Sequence, residues 1–269
     1  MDNPPEQHTG HPRRWQILSV LLVSLLVVVL DNTVLNVALK TIQEALEATQ
    51  NEIVWAINSY TLVFAALLFT WGVLGDRYGR KKILVIGLVL FGLASALSAF
   101  ATDPMQLIIA RGLMGIGGAS VLPVTLAIIT VVFPPHERGK AIGLWAASVG
   151  GAVALGPLLG GFLLEHFWWG SVFLINVPIV AIGVIGILLL VPESSNPNPG
   201  RLDPLGLLMS ITGLLLLVYG IQHGGDSQDC LSLGVSGAII GGLAIIILFL
   251  WLEIRSDQPP LDKIRIAHS

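Results

Sequence analysis

Eight long apolar runs, separated by short polar breaks, dominate the chain. They fall at about 16–38, 54–74, 83–101, 105–131, 140–164, 168–191, 205–222 and 231–252. Each is about 18 residues or longer, enough to cross a hydrocarbon core of roughly 30 Å at ~1.5 Å per residue. The pattern predicts an all-α integral membrane protein. Proline, glycine or charge marks the ends of the runs, as at Asp103-Pro104, Pro134-Pro135 and Pro192-Glu193. The stretch from Pro192 to Gly200 is rich in Pro, Asn and Ser and reads as a cytoplasmic linker. The expected organisation is a cytoplasmic tail over 1–15, a six-helix bundle over 16–191 and a linker over 192–204. Two additional transmembrane helices follow over 205–252, then a cytoplasmic tail over 253–269.

Composition agrees with this reading. The chain is 54% hydrophobic and 12% charged, whereas a soluble domain needs about a quarter of its residues charged. The placement of basic residues orients the helices. With the N-terminus inside, the cytoplasmic segments hold Arg13, Arg14, Arg77, Arg80, Lys81, Lys82, Arg138, Lys140, Arg201, Arg255, Lys263 and Arg265. The outer segments hold Lys40 alone, and Arg111 lies within a span. A missed or extra span would spoil that alternation. Net charge is −3 and no basic patch suggests nucleic acid. All six histidines are expected in tails or loops, which argues against a metal site, and the single Cys230 cannot form an intrachain disulfide. Arg13 and Arg14 precede a full-length span without a small-residue cleavage site, so no cleaved leader is expected.

Two charged residues fall well inside the spans, Asp31 in the first and Arg111 in the fourth. An ionisable group at depth costs at least about 2.5–3.5 kcal/mol on insertion scales and by default marks a pathway or proton relay. The alternative is a structural hydrogen-bonding role between helices. Asp31 lies roughly 10 Å from the outer end of its span and Arg111 roughly 9 Å from the outer start of its own. At matching height the two can pair. A nearby cation favours the charged carboxylate and a dry surrounding the neutral acid. A carboxylate between these influences can load and release a proton as access alternates. Asp31 is therefore the expected proton carrier and Arg111 its electrostatic partner. Asn32, Asn36 and Met114 are expected to line a substrate cavity.

The loop between the second and third spans reads Gly72-Val-Leu-Gly75-Asp76-Arg77-Tyr-Gly79-Arg80-Lys81-Lys-Ile-Leu84. Its glycines allow a tight turn near a neighbouring helix. Asp76 among Arg77, Arg80 and Lys81 can form a charge network that acts as a gate lock. Simple topology explains the basic residues equally well, but not the glycine spacing. In the fifth span Gly156 and Gly160 are four apart, beside Pro157 and Gly161. Such a smooth face lets another backbone approach, and Pro157 can bend the helix. The spacing fits a hinge or a static packing face.

The 72–84 loop resembles motif A of the major facilitator superfamily. Leu30-Asp-Asn-Thr-Val-Leu-Asn-Val-Ala-Leu39 resembles the first-span motif of its fourteen-span QacA/EmrB-type drug:proton antiporters. The segment around Arg111 and Gly115 resembles motif B, and Gly156-Pro157-Leu-Leu-Gly160-Gly161 motif C. Trp169-Gly-Ser-Val-Phe173 with Asn176-Val-Pro178 resembles the segment after the fifth span. The resemblance runs from Trp15 to about Ile264. It implies the N-terminal six-helix transporter bundle plus two inserted helices, in the plasma (inner) membrane. It also implies proton-coupled export of hydrophobic or cationic small molecules, with no cofactor beyond the proton gradient. No catalytic cluster suggests an enzyme. A fourteen-span exporter needs about 450–550 residues, so the chain is expected to be truncated after span 8. It would then need a second transporter half, or a homodimer, as partner. The alternative is a non-transporting membrane scaffold.

Overall fold

The computed structural model describes residues 10–196, 204–227 and 232–255. The residues before Gly10, most of the 192–204 linker, Cys230 and the tail beyond Arg255 lie outside that set. The described residues are helical with no strand, and eight stretches are long and apolar enough to cross a membrane. The helices are α1 (Arg14–Ala45), α2 (Gln50–Tyr78), α3 (Arg80–Ala99), α4 (Pro104–Gly118) and α5 (Val121–Val132). They continue with α6 (Pro135–His166), α7 (Ser171–Leu174), α8 (Asn176–Leu190), α9 (Pro204–Ser227) and α10 (Leu233–Arg255).

Two spans are broken where the apolar pattern alone reads one helix. The fourth comprises α4 and α5, parted at Ala119-Ser120, and the sixth comprises α7 and α8, parted at Ile175. The cause is the same in both. Pro123 cannot donate to the Ala119 carbonyl, and Pro178 cannot donate to that of Leu174, so the helical ladder loses a bond at each place. The Ser120 hydroxyl donates back to the Gly117 carbonyl at 2.8 Å. By contrast α6 is assigned as one helix through Pro157, whose side chain faces outward. Helices also outrun the apolar stretches. α1 continues through Lys40 to Ala45, with Ala38 and Ile42 still buried.

Helix starts follow local chemistry. Thr49 and Glu52 form a reciprocal capping box at α2, the Thr49 N–H donating to Glu52 Oε2 at 2.8 Å. Asp103 caps α4 by accepting from the Gln106 N–H at 2.9 Å, with Pro104 at the first helical position.

α1 packs against α6 and α8, α2 against α4, and α3 against α4 and α8. The core is built from Ile17, Leu21, Leu25, Leu84, Leu88, Phe91 and Phe173, all fully buried. α9 and α10 form a hairpin laid against α2. Within it Gly242 lets its neighbour close in, since a Cβ there would stand 2.7 Å from the Leu217 backbone nitrogen. Trp55 of α2 stacks on Tyr219 of α9 with ring centroids 6.1 Å apart. One end of the molecule carries both basic loops, the α2–α3 turn and the α5–α6 turn. Three histidines sit on helix ends or within a helix rather than in loops. His136 and His166 occupy the two ends of α6, and His223 falls in α9, because the helices extend past their apolar stretches.

Candidate functional site

The centre of the six-helix bundle holds a polar cluster in an apolar surround. Asp31 of α1 is 2% exposed and Arg111 of α4 is fully buried. One Arg111 Nη donates to Asp31 Oδ2 at 2.5 Å. The depth argument from sequence thus puts together two residues 80 positions apart. The guanidinium is held on several sides. Its Nε donates weakly to the Ala56 carbonyl at 3.4 Å, and its carbon lies 4.3 Å from the centre of the Tyr60 ring. The Phe173 ring lies on another side at 5.9 Å. Aromatic faces stabilise a desolvated cation through their quadrupoles.

The second carboxylate oxygen has its own partner. Asn176 Nδ2 donates to Asp31 Oδ1 at 2.8 Å and also lies 3.0 Å from Ser95 Oγ. The Ser95 hydroxyl donates to the Phe173 carbonyl at 2.8 Å. Asn176 and Ser95 are 2% and 0% exposed. α1, α4 and α8 therefore meet at one carboxylate, and Ser95 of α3 and Phe173 of α7 are tied in behind Asn176. Asn176, Ser95, Tyr60 and Phe173 escaped the sequence reading because each is an ordinary helix residue there. The available signal was the match at Trp169-Gly-Ser-Val-Phe173 with Asn176-Val-Pro178.

The expected cavity residues part company. Met114 is fully buried, its sulfur accepting from Ser98 Oγ at 3.3 Å and lying 3.7 Å from Arg111. It presents no surface to a ligand in this arrangement, because it sits one turn from Arg111 on the inner face of α4. Asn32 is half-buried and its amide donates to the Val28 carbonyl of its own helix at 3.2 Å. The Tyr60 hydroxyl lies near the Asn32 side chain but outside hydrogen-bonding geometry. Asn36 is exposed.

The glycine face of α6 meets α1 beside this cluster. Ala152, Gly156 and Gly160 are buried at four-residue intervals. A Cβ on Gly156 would collide with the Thr33 hydroxyl, and one on Gly160 would stand 3.2 Å from the Val34 carbonyl. Gly161 differs from expectation. It is exposed, with nothing within 4 Å of a built Cβ, because one residue further rotates it off the packed stripe.

The loop residues assemble at the basic end. Arg80 Nε and Nη2 donate to Asp76 Oδ1 at 2.8 and 2.7 Å. Gly72 and Gly75 face α5, a Gly75 Cβ standing 3.2 Å from Val124. Arg77 lies beside the Tyr78 ring. Gly79 adopts φ +110°, where side chains are disfavoured. A Cβ there would stand 2.6 Å from the Glu193 carboxylate. Glu193 also accepts from the Lys81 N–H at 3.1 Å, while Lys81 Nζ donates to the Leu188 carbonyl at 2.9 Å. The segment after α8 thus docks on this turn, and the Asn196 N–H donates to the Asp76 carbonyl at 2.7 Å. Glu193 was read only as a span boundary. A second contact at this end joins Arg14 to Glu137, whose two oxygens accept at 2.5 and 2.9 Å.

Eight membrane-length helices, six of them bundled around a buried ion pair, define a multi-pass membrane protein. The profile of the Major Facilitator Superfamily matches residues 21–259, and the chain belongs to that family. It is 41% identical over 97% of its length to the multidrug efflux pump LfrA of Mycolicibacterium smegmatis, of which it covers 52%. It is likewise 41% identical to the methyl viologen resistance protein SmvA of Salmonella typhimurium, covering 95% of this chain and 52% of that protein. The puromycin resistance protein pur8 of Streptomyces alboniger is 37% identical over 96% of the chain. The chain spans about half the length of the curated relatives it matches. Among solved structures, the proton:xylose symporter XylE shares the fold with a TM-score of 0.60 at 16% identity, over 80% of this chain and 55% of that one. Together the spans and relatives make the chain a multi-pass protein of the bacterial inner membrane.

Proposed function

We propose that the chain works in proton-coupled export of drugs and other hydrophobic or cationic compounds, within the fourteen-span branch of its family. The observation that carries this reading is the buried Asp31–Arg111 pair. A desolvated carboxylate with a fixed cation is costly in a membrane bundle, and proton exchange gives that cost a purpose. Relatives named for multidrug efflux and for methyl viologen and puromycin resistance support the substrate class. The clustering of basic loops at one end supports a cytoplasmic N-terminus. The outward face of α6, with Leu155, Leu158 and Phe162 more than half exposed, is the surface we assign to a second helical half or a second copy.

In this mechanism Asp31 takes a proton from the outer side and releases it to the inner side as the bundle rocks. Arg111 compensates its charge between those events. The test is proton flux from liposomes containing the chain, driven by added methyl viologen and followed with a pH-sensitive dye. Wild type is expected to dissipate the gradient, and Asp31→Asn to fall to the level of empty liposomes while keeping its helical circular dichroism. Equal flux from both would refute the assignment. No flux from wild type would favour a non-transporting scaffold or a chain that needs a separate second half.

A further inference from the structure

We propose that Asn176 is a positioning residue that senses whether Asp31 carries a proton and relays that state to the break in the last span of the bundle. This rests on Asp31 being the proton carrier and adds the residue that reads its charge. Asn176 is the first residue of α8, directly after the break at Ile175. Its Nδ2 reaches both Asp31 Oδ1, at 2.8 Å, and Ser95 Oγ, at 3.0 Å. Ser95 in turn holds the Phe173 carbonyl in α7, on the other side of that break.

Hydrogen counting gives the direction of the network. A primary amide nitrogen has two N–H donors, and only its oxygen accepts. Here one N–H serves Asp31, the other serves Ser95, and the Ser95 hydrogen serves Phe173. Each of these three hydrogens has one acceptor only while Asp31 is a charged acceptor. The groups facing Asp31 are few. Arg111 comes from α4 and Tyr60 from α2, Asn176 and Ser95 are uncharged, and α6 presents Gly156 and Gly160 to α1.

When water delivers a proton, a new O–H forms on one carboxyl oxygen. On Oδ2 it would oppose an N–H of Arg111, which has no acceptor. On Oδ1 it opposes an N–H of Asn176, but the amide can turn about its last torsion and offer its oxygen. Protonation therefore selects Oδ1 and turns the amide. The turn withdraws Nδ2 from Ser95 and loosens the tie to Phe173 across the α7–α8 break. Loss of the proton restores the original set.

Infrared titration of the full chain in liposomes tests this without transport. The protonated C=O band of Asp31 is the one that Asp31→Asn abolishes. Asn176→Ala is expected to move its titration midpoint upward by about one pH unit or more, because the charged form loses a donor. The band itself is expected to shift to higher frequency, since the acid O–H loses the amide oxygen. Ser95→Ala keeps the donor to Asp31 but frees the amide to turn, so a smaller upward shift is expected. An unmoved midpoint and band in Asn176→Ala, with a titrating wild type, overturns this proposal alone. Should Asn176→Ala fail to assemble, an unmoved Ser95→Ala midpoint overturns it. A wild type with no titrating Asp31 band overturns the proton-carrier reading as well.

Discussion

Two aspartate–arginine pairs occupy opposite environments in this molecule. Asp31 and Arg111 meet across 80 residues with side chains 1% and 0% exposed. Asp76 and Arg80 meet across a single turn at the basic end, with side chains 46% and 13% exposed. The groups are the same and each arginine closes on one carboxylate oxygen, but their environments differ. At the basic end water competes for the half-exposed Asp76, and the pair adds little beyond bracing a turn. In the bundle interior neither group has water to fall back on. Removing one partner there leaves an uncompensated charge, so the interior pair depends on both members far more than the outer one does.

The comparison is broken most directly by Arg111→Ala. It should destabilise the bundle by about 3–5 kcal/mol, read as thermal unfolding by circular dichroism in detergent. Arg111→Ala combined with Asp31→Ala should recover much of that loss, and a strictly additive double variant would sink the idea of a coupled pair. Next in size is Gly156→Val. A side chain there meets the Thr33 hydroxyl, two residues from Asp31, so overpacking should cost about 1–3 kcal/mol. The same change at exposed Gly161 should be nearly silent, and equal losses at both sites would count against the packed stripe. The smallest effect is expected of Asp76→Asn, within about 1 kcal/mol and shrinking further at high salt. A loss there matching that of Arg111→Ala would erase the contrast.

Much of this was legible without coordinates, for reasons that differ by residue. A 20-residue apolar run has few options in lipid, so the existence of eight spans follows from length and composition. Asp31 and Arg111 stood out because charge at depth is rare and costly. The small stripe of α6 followed from helical period, which also shows why Gly161 was misplaced. One residue is about 100° around a helix, enough to leave the stripe. Glu193 and Asn176 were legible only as motif or boundary residues, since neither polar type is unusual beside a helix end.

The sequence by itself determined which segments are helices in a membrane, and which charges must find company there. Local pattern suffices for that, because each span satisfies its own backbone and each buried charge announces its cost. Only the tertiary structure decided who the company is. It brought Asn176 to the second oxygen of Asp31, Tyr60 beneath Arg111 and Glu193 over Gly79. Asn176 and Tyr60 come from helices, and Glu193 from the segment after α8, whose relative placement depends on side-chain packing between spans, a property no single span encodes.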